Sequence, residues 1–498
     1  MPSFVSELKC TRCGEKYSPN IYITTCSGCG GVLQARYSSD KIAERVTPVE
    51  LEHRIPGVWK YFEFLPLTNR ANAITLGEGG TFLHRCERLA QRFGLRDLYI
   101  KDETSNPTGS FIDRGTTVEI SKIRELGRRS VCCWLTGNLA ASLVAYAARA
   151  GLACRVVLPQ RVDIGKFYQT IAYETDIEIA KDSKDACLKA YRLSTQDYMG
   201  HFVMPYNLYF LEGEKTTAYE ICEQLGWSLP DKIVVPMGSG GHLSMIWKGI
   251  KEFYEMGFLK QKTVEMVGTQ SKGCPPIVEA LQRGDDKIIP VNKISTIAID
   301  ICVEDPPCGS MAIQAIRESK GTAMPLLDRE IIHAVSLLAK LEGIFAEPAA
   351  ATTIAGLKRL VDEGRIDPSE KVVCVVTGTG LKYPEVTKNL IKGSKKLEKL
   401  LRLVEKRKYG IALGETKQRV LQIISRKESY GYEIWRALGD LGVKVKIPSV
   451  YQHLTELEDA DLIIRSKSEQ VLKKPERHYY KLTERGRVML SRSEALEE

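Results

Sequence analysis

The chain has 498 residues, 43% hydrophobic and 27% charged, with a formal net charge of +9. A globular composition of that length exceeds one ordinary domain, and roughly two to four are expected. No run of about 18 or more apolar residues occurs and the opening MPSFVSELKC lacks an export pattern, so a membrane span and a secreted disulfide scaffold are excluded and the cytoplasm is the expected compartment.

Residues 1–35 are rich in Gly and Cys and too poor in apolar bulk to form a core unaided. Cys10-x-x-Cys13 and Cys26-x-x-Cys29 have the paired spacing of four thiolates around a structural Zn2+. Gly14, Gly28 and Gly30 allow the tight turns such knuckles need. A zinc-ribbon-like lobe is therefore expected, with a metal-free lobe held by packing as the plainer alternative. Four thiolates leave no open position for metal catalysis. The other cysteines are scattered and are expected to pack as small apolar residues.

From 36 to 390 apolar runs alternate with helical patterns. DLYIK, with a strand expected over Leu98–Lys101, precedes the tight loop NPTGSFIDRG. SVCCWLTG precedes the small-residue helix NLAASLVAYAARAG, and CRVVLP follows it. KIVVPMGSGG precedes another helix, and VVCVVTGTG closes the series. Continuous apolar runs, each followed by a Gly loop and a helix, indicate an α/β architecture of parallel strands buried on both faces. Ligands then sit at the C-terminal ends of the strands. Backbone N–H groups of GSGG, Gly238–Gly241, can surround a phosphate at a helix N-terminus.

Residues 388–410, KNLIKGSKKLEKLLRLVEKRKYG, hold much of the excess positive charge. They read as a solvated helix face or as an attraction to nucleic acid. Within 391–411 Leu397, Leu400, Leu401 and Val404 recur on one helical face, which suits a linker, a dimer seam or both. From 412 to 498 three amphipathic helices, two strands joined by a basic loop and a last helix are expected. Pro448 or Ser449 starts the third helix.

The middle segment resembles threonine synthase and its fold-type II pyridoxal phosphate relatives. The resemblance spans nearly all of residues 1–390, through LGEGGTFLHRCERLA, IKDETSNPTGSF-DRG, TGNLAAS, FLEGEKTTAYEICEQLGW, MGSGGHLSMIWKG, GIFAEPAAATTIAGL and VVTGTGLKYP. It implies two doubly wound parallel-sheet lobes with pyridoxal phosphate between them. By the same resemblance Gly238, Ser239, Gly240 and Gly241 hold the cofactor phosphate, with His242 beside them. Asn138 meets the ring hydroxyl and Thr377 the pyridine nitrogen. Thr136 and Gly137 lie near a substrate carboxylate, and Lys166 serves an anionic ligand. Three residues depart from the family pattern. His242 replaces the more usual Asn, Leu139 a frequent Ala, and Ile112 the lysine that holds the cofactor as an imine. A sec-butyl side chain has neither a lone pair nor a titratable proton, so no catalytic residue is assigned and turnover is expected to be lost or very slow. Neither Lys101 nor Lys122 is an obvious substitute. The pocket is then retained for non-covalent pyridoxal phosphate, a cofactor–amino acid adduct, or an amino acid or phosphorylated amino acid alone; an empty relic is the bland alternative.

The tail resembles a PadR-type winged helix through YGYEIWRAL, IPSVYQHLTELEDADLI and ERHYYKLTERGRVML. The resemblance places the third helix in the major groove and the hairpin wing on the DNA backbone. Candidates near the start of that helix are Lys444, Lys446, Ser449, Tyr451 and Gln452. Candidates on the wing are Arg465, Lys467, Lys473, Lys474 and Arg477. A winged helix used for protein contact is the alternative. The two resemblances together suggest a homodimeric, metabolite-responsive transcriptional regulator on an inverted-repeat operator. The competing expectations are a working lyase that makes threonine from O-phosphohomoserine under a regulatory tail, and a scaffold with neither activity.

Overall fold

Apolar residues cover both faces of the central strands. In Lys232–Pro236 every residue is buried, and in Lys371–Val376 every residue after the first. Val234, Val372, Cys374 and Val376 join one apolar cluster, while Ile233, Val235, Val373 and Val375 join another. This is the period-two alternation of pleated strands covered on both sides.

The computed structural model describes residues 3–134, 137–159, 164–196, 199–261, 263–291, 294–384, 386, 390, 414–470 and 476–494. The helix expected over 391–411 lies outside them, as do Thr136, Lys473, Lys474 and the side chain of Lys166. The chain divides into two compact units, Met1–Leu390 and Ile391–Glu498.

In the first unit the strands are β1 (Val5–Cys10), β2 (Lys16–Tyr17), β3 (Leu33–Tyr37), β4 (Leu83–Arg85), β5 (Asp97–Asp102), β6 (Ser130–Cys133), β7 (Ala153–Pro159), β8 (Asp176–Ala180), β9 (Gly200–Phe202), β10 (Lys232–Pro236), β11 (Glu265–Ser271), β12 (Thr322–Leu326) and β13 (Lys371–Val376). A six-stranded sheet runs β12-β11-β10-β13-β5-β4 and is parallel except at its edge strand β4. A four-stranded sheet, β8-β7-β6-β9, is wholly parallel. The N-terminal lobe is an antiparallel β2-β1-β3 sheet.

Helix α1 (Ile112–Glu125) follows β5 through the NPTGSF loop, and α2 (Asn138–Ala150) follows β6. The alanines of α2 let it press against β6, β7 and α1, where Leu143, Val144, Val131, Val156 and Ile120 share one core. Gly151 ends α2 in the left-handed conformation, φ +68°. Helix α3 (Leu208–Glu214) is buried throughout, and α4 (Gly241–Glu255) leaves β10 through the glycine loop. Helix α5 (Pro348–Asp362) packs on the six-stranded sheet.

The second unit holds α6 (Glu415–Arg426), α7 (Gly431–Asp440), α8 (Ile447–Asp459) and α9 (Glu484–Glu494), with β14 (Ser429–Tyr430), β15 (Ile463–Glu469) and β16 (Arg477–Leu482) in the order β14-β16-β15. Val420, Leu421, Ile434, Leu438, Val450, Leu454 and Leu457 close its core. Helix α8 begins at Ile447 with Lys446 as its N-cap residue, so Pro448 lies inside the first turn and Ser449 is not a cap. Pro costs no helical hydrogen bond there, which is why the helix runs through it.

Candidate functional site

The NPTGSF loop is held from below. The Thr108 N–H and hydroxyl donate to Asp113 at 2.7 and 2.6 Å, and the Ser142 hydroxyl donates to the same carboxylate at 2.5 Å. Burial pushes the Asp113 carboxyl up to about 6, against the lowering effect of these donors. Gly109 has φ +80°, and a Cβ there would lie 2.7 Å from Thr379 Cγ2. Only glycine fits this crossing of two loops.

Ile112, the first residue of α1, lines a cleft of about 1560 Å³ between the two parallel sheets. Two nearby amines are committed elsewhere. Lys101 Nζ donates to Glu220 at 2.7 Å, to Thr81 O at 2.8 Å and to Gln224 at 2.9 Å. Lys122 pairs with Glu125 at 3.4 Å and lies over the Tyr209 ring. A third amine was not singled out by sequence reasoning. Lys382 Nζ donates to Asn138 Oδ1 at 3.0 Å, while Asn138 Nδ2 donates to the Glu347 carboxylate at 3.1 and 3.2 Å. Both ends of the Asn138 amide are therefore engaged within the chain. Asn138, Glu347 and Thr377 line the cleft, and Thr377 O accepts the Phe111 N–H at 2.9 Å. Gly137 caps α2 at φ +86°.

Gly238–Gly241 packs tightly at the end of β10. A Cβ would lie 3.2 Å from Ile301 Cα at Gly238, 2.9 Å from Cys308 O at Gly240 and 2.8 Å from Leu211 Cδ2 at Gly241. The Gly241 N–H donates to Ser239 Oγ at 3.3 Å. His242 stacks on Phe111 with ring centroids 4.1 Å apart and planes 14° apart. Its Nε2 meets Thr217 Oγ1 at 3.0 Å. Burial pushes the imidazole down to about 3, so His242 enters the wall as a neutral ring. Glu214, also unmarked in the sequence, brings a buried carboxyl to the same loop: its Oε2 lies 3.4 Å from the Cβ position of Gly241.

The N-terminal lobe contributes Thr11, Arg12 and Gly31 to the cleft wall. Its Cys10, Cys13, Cys26 and Cys29 Sγ atoms lie within 4.8 Å of one another, three of the pairs at 3.5–3.6 Å. A tetrahedron with Zn–S bonds of about 2.3 Å needs sulfurs about 3.8 Å apart, so this cluster fits a metal ion. Gly31 is required beside it, since a Cβ would come 2.9 Å from Cys10 Sγ.

In the second unit Lys444, Lys446, Tyr451 and Gln452 are exposed around the start of α8, and Ser449 is half-buried. Tyr451 also packs over Gly431, where a Cβ would meet its ring at 2.6 Å. On the wing Arg465 is paired with Glu458 at 3.1 Å. Lys467 lies over the Tyr479 ring and Arg477 over the Tyr430 ring. Of the described wing candidates, Arg465 has its charge already matched by a carboxylate.

Two doubly wound sheets facing a cleft, with a glycine loop at one strand end, define a fold-type II pyridoxal phosphate domain, here followed by a winged helix. The family described as pyridoxal-phosphate dependent enzyme matches residues 74–378, and the transcriptional regulator PadR-like family matches residues 420–492. The chain belongs to the first family and carries a PadR-like domain at its C-terminal end. Threonine synthase of Methanocaldococcus jannaschii is 43% identical over 378 residues, which cover 76% of this chain and 93% of that protein. The Methanosarcina acetivorans threonine synthase is 41% identical over 379 residues, covering 76% and 92%. Among solved structures, processed threonine deaminase isoform 2 from Solanum lycopersicum superimposes with a TM-score of 0.55 at 18% identity, over 76% of this chain and 99% of that one. Maize serine racemase does so with 0.54 at 20%, over 64% and 93%. These two share the fold.

Proposed function

We propose that the protein is a ligand-responsive transcriptional regulator whose enzyme-derived domain holds pyridoxal phosphate without a covalent bond, an amino-acid-like or phosphorylated metabolite, or both. Ile112 carries the reading: the cleft keeps a glycine cradle, Asn138 and Thr377, but an alkyl group stands where the family lysine acts. Gly238–Gly241 would hold the cofactor phosphate, Thr377 the ring nitrogen, and Asn138 the hydroxyl once its bonds to Lys382 and Glu347 rearrange. Bound there, the cofactor supplies an electron sink beside a substrate carbon. Ile112 can neither anchor it nor move a proton to that carbon.

In this reading the PadR-like tail binds operator DNA, with α8 in the major groove and Arg477 and Lys467 on phosphates. A cytoplasmic homodimer would ask for an inverted repeat. Sensing requires that the ligand prefer one of two states of the protein. Gel shifts against the DNA upstream of its own gene test this. Binding at low salt is expected, changed about fivefold or more by pyridoxal phosphate or O-phosphohomoserine. Absence of any shift at low salt sinks the DNA reading, and a shift indifferent to every ligand sinks the sensing. Lys446→Ala and Arg477→Ala are each expected to lower the slope of log affinity against log salt by about 1. An unchanged slope removes that residue from the interface.

The four-cysteine cluster is assigned a structural Zn2+. Four thiols are expected to resist a thiol reagent in the zinc-loaded protein and to react after chelation. Equal reactivity with and without metal contradicts the assignment.

Lys382 favours a second reading, a working threonine synthase-like lyase, because its amine lies 3.0 Å from the Asn138 amide oxygen. Threonine synthase relatives at 41–43% identity fit that reading too. Borohydride treatment followed by peptide mass mapping decides: cofactor fixed onto Lys382, with turnover, supports the lyase.

A further inference from the structure

Glu214 is 2% exposed, yet it lines the cleft at the glycine cradle. Its Oε2 has no hydrogen-bond partner among the described residues. That atom lies 3.4 Å from the Cβ position of Gly241, the first residue of α4, and Ser239 Oγ lies 3.4 Å from the same position. A buried carboxyl oxygen is thus orphaned beside the N-terminus of a long helix, where backbone N–H groups favour an anion. An ionised carboxylate would repel that anion at close range, whereas a protonated one would donate to it.

We propose that Glu214 enters the Gly238–Gly241 cradle as a carboxylic acid and donates a hydrogen bond to the bound anion, so that inorganic phosphate or a phosphate monoester is taken up together with this proton. The proposal rests on the reading that the cradle takes an anion, and deepens it by naming the group that makes uptake pH-dependent. Burial holds the Glu214 carboxyl well above the usual carboxylate range.

Among the described residues, the charged groups packed around α3 and α4 are largely paired with one another. Lys215, next in the chain, and Lys248 of α4 are bonded to Glu212 and Glu252. Arg114 of α1 is held by Glu103 and Glu220. His242 is neutral, and burial keeps the Cys308 thiol protonated. Arg12 of the N-terminal lobe reaches the cleft wall but donates to Cys29 O at 3.3 Å. Lys287 also lines the cleft, but among the described residues no cation is bonded to Glu214 Oε2, and a proton takes that role.

The linkage has a definite sign. Above the carboxyl's free-state pKa, binding must first protonate Glu214, and affinity falls about tenfold for each pH unit. Below it, Glu214 contributes no pH dependence. Glu214→Gln keeps the shape and an N–H donor while removing the titration. Pyridoxal phosphate and inorganic phosphate are titrated into the full chain from acid to alkaline pH, in wild type and variant, with tryptophan fluorescence as readout; Trp134 lines the cleft. The ligand's own ionisation is common to both proteins and cancels in the difference. Calorimetry in two buffers of unlike ionisation enthalpy counts the protons.

The expected result is a wild-type affinity that falls more steeply by one proton, and a variant that binds more tightly at alkaline pH. Equal slopes and equal proton counts, with both proteins binding, overturn the role of Glu214 alone. Failure of either probe to bind either protein at any pH overturns the anion cradle itself, and this proposal with it.

Discussion

An Ile112→Lys protein is expected to fix pyridoxal phosphate covalently at position 112 and to release phosphate from O-phosphohomoserine about 10²–10⁴ times faster than wild type, the range that a positioned proton-transfer group contributes. Position 112 opens α1, and its side chain faces the cleft. A lysine there would lie at the positive end of a helix dipole and partly out of water, and both effects favour the uncharged amine that attacks a carbonyl carbon. The neighbouring Asp113 would not capture it, because that carboxyl is already engaged by Thr108 and Ser142. Visible absorbance, borohydride trapping, mass mapping and a phosphate assay together read the outcome. If the wild type already turns over as fast as the variant, Ile112 is no barrier and the regulator reading loses its main support.

The strand–loop–helix succession was legible because each unit is local: KIVVP is apolar on both faces, GSGG breaks it, and Gly241–Glu255 is a helix buried on every side from Gly241 to Ile250. The cysteine pairs were legible for the same reason, since two short knuckles need only a turn to converge. What escaped was made through space. Lys382 stands 244 positions from Asn138, and Glu347 stands 209 from it, so neither contact leaves a trace in the spacing of residues. His242 was legible as a departure from the family, but its stack on Phe111 needed β5 and β10 placed in one sheet. Glu214, inside FLEGEKTT, reads like a surface acid of an amphipathic helix; only the burial of all of α3 shows otherwise. The start of α8 was misjudged by one or two residues because Pro448 is equally at home as the first or second residue of a helix.

Arg114→Ala is expected to destabilise the first unit by about 3–5 kcal/mol, the cost of breaking a buried ion pair from one side. Arg114 is fully buried two residues beyond Ile112. Its guanidinium donates to Glu103 at 2.6 and 2.9 Å and to Glu220 at 2.7 Å through two nitrogens, with Thr81 and Thr216 at 3.0 Å completing the shell. Lys101 shares Glu220, so two cations balance two carboxylates with none of the four exposed to any useful degree. Removing Arg114 leaves two buried carboxylates and one ammonium. The pH dependence follows in sign. Burial raises both carboxyls, but Arg114 and Lys101 outweigh it and hold Glu103 and Glu220 below the ordinary carboxylate value. In wild type that stability is present above the unfolded pKa of about 4.3 and is lost as pH falls through the depressed values. In the variant burial acts with less opposition, so protonation relieves the stranded charge as pH falls. The gap between the two proteins is therefore widest at neutral pH and narrows in mild acid, which denaturant titrations at the two conditions measure. Arg114→Lys keeps the charge but cannot present the planar fork that both carboxylates use, and it is expected to recover only part of the loss. A gap that is small, or that widens in acid, would mean that α1 and its loop are positioned by apolar packing rather than by this buried charge cluster.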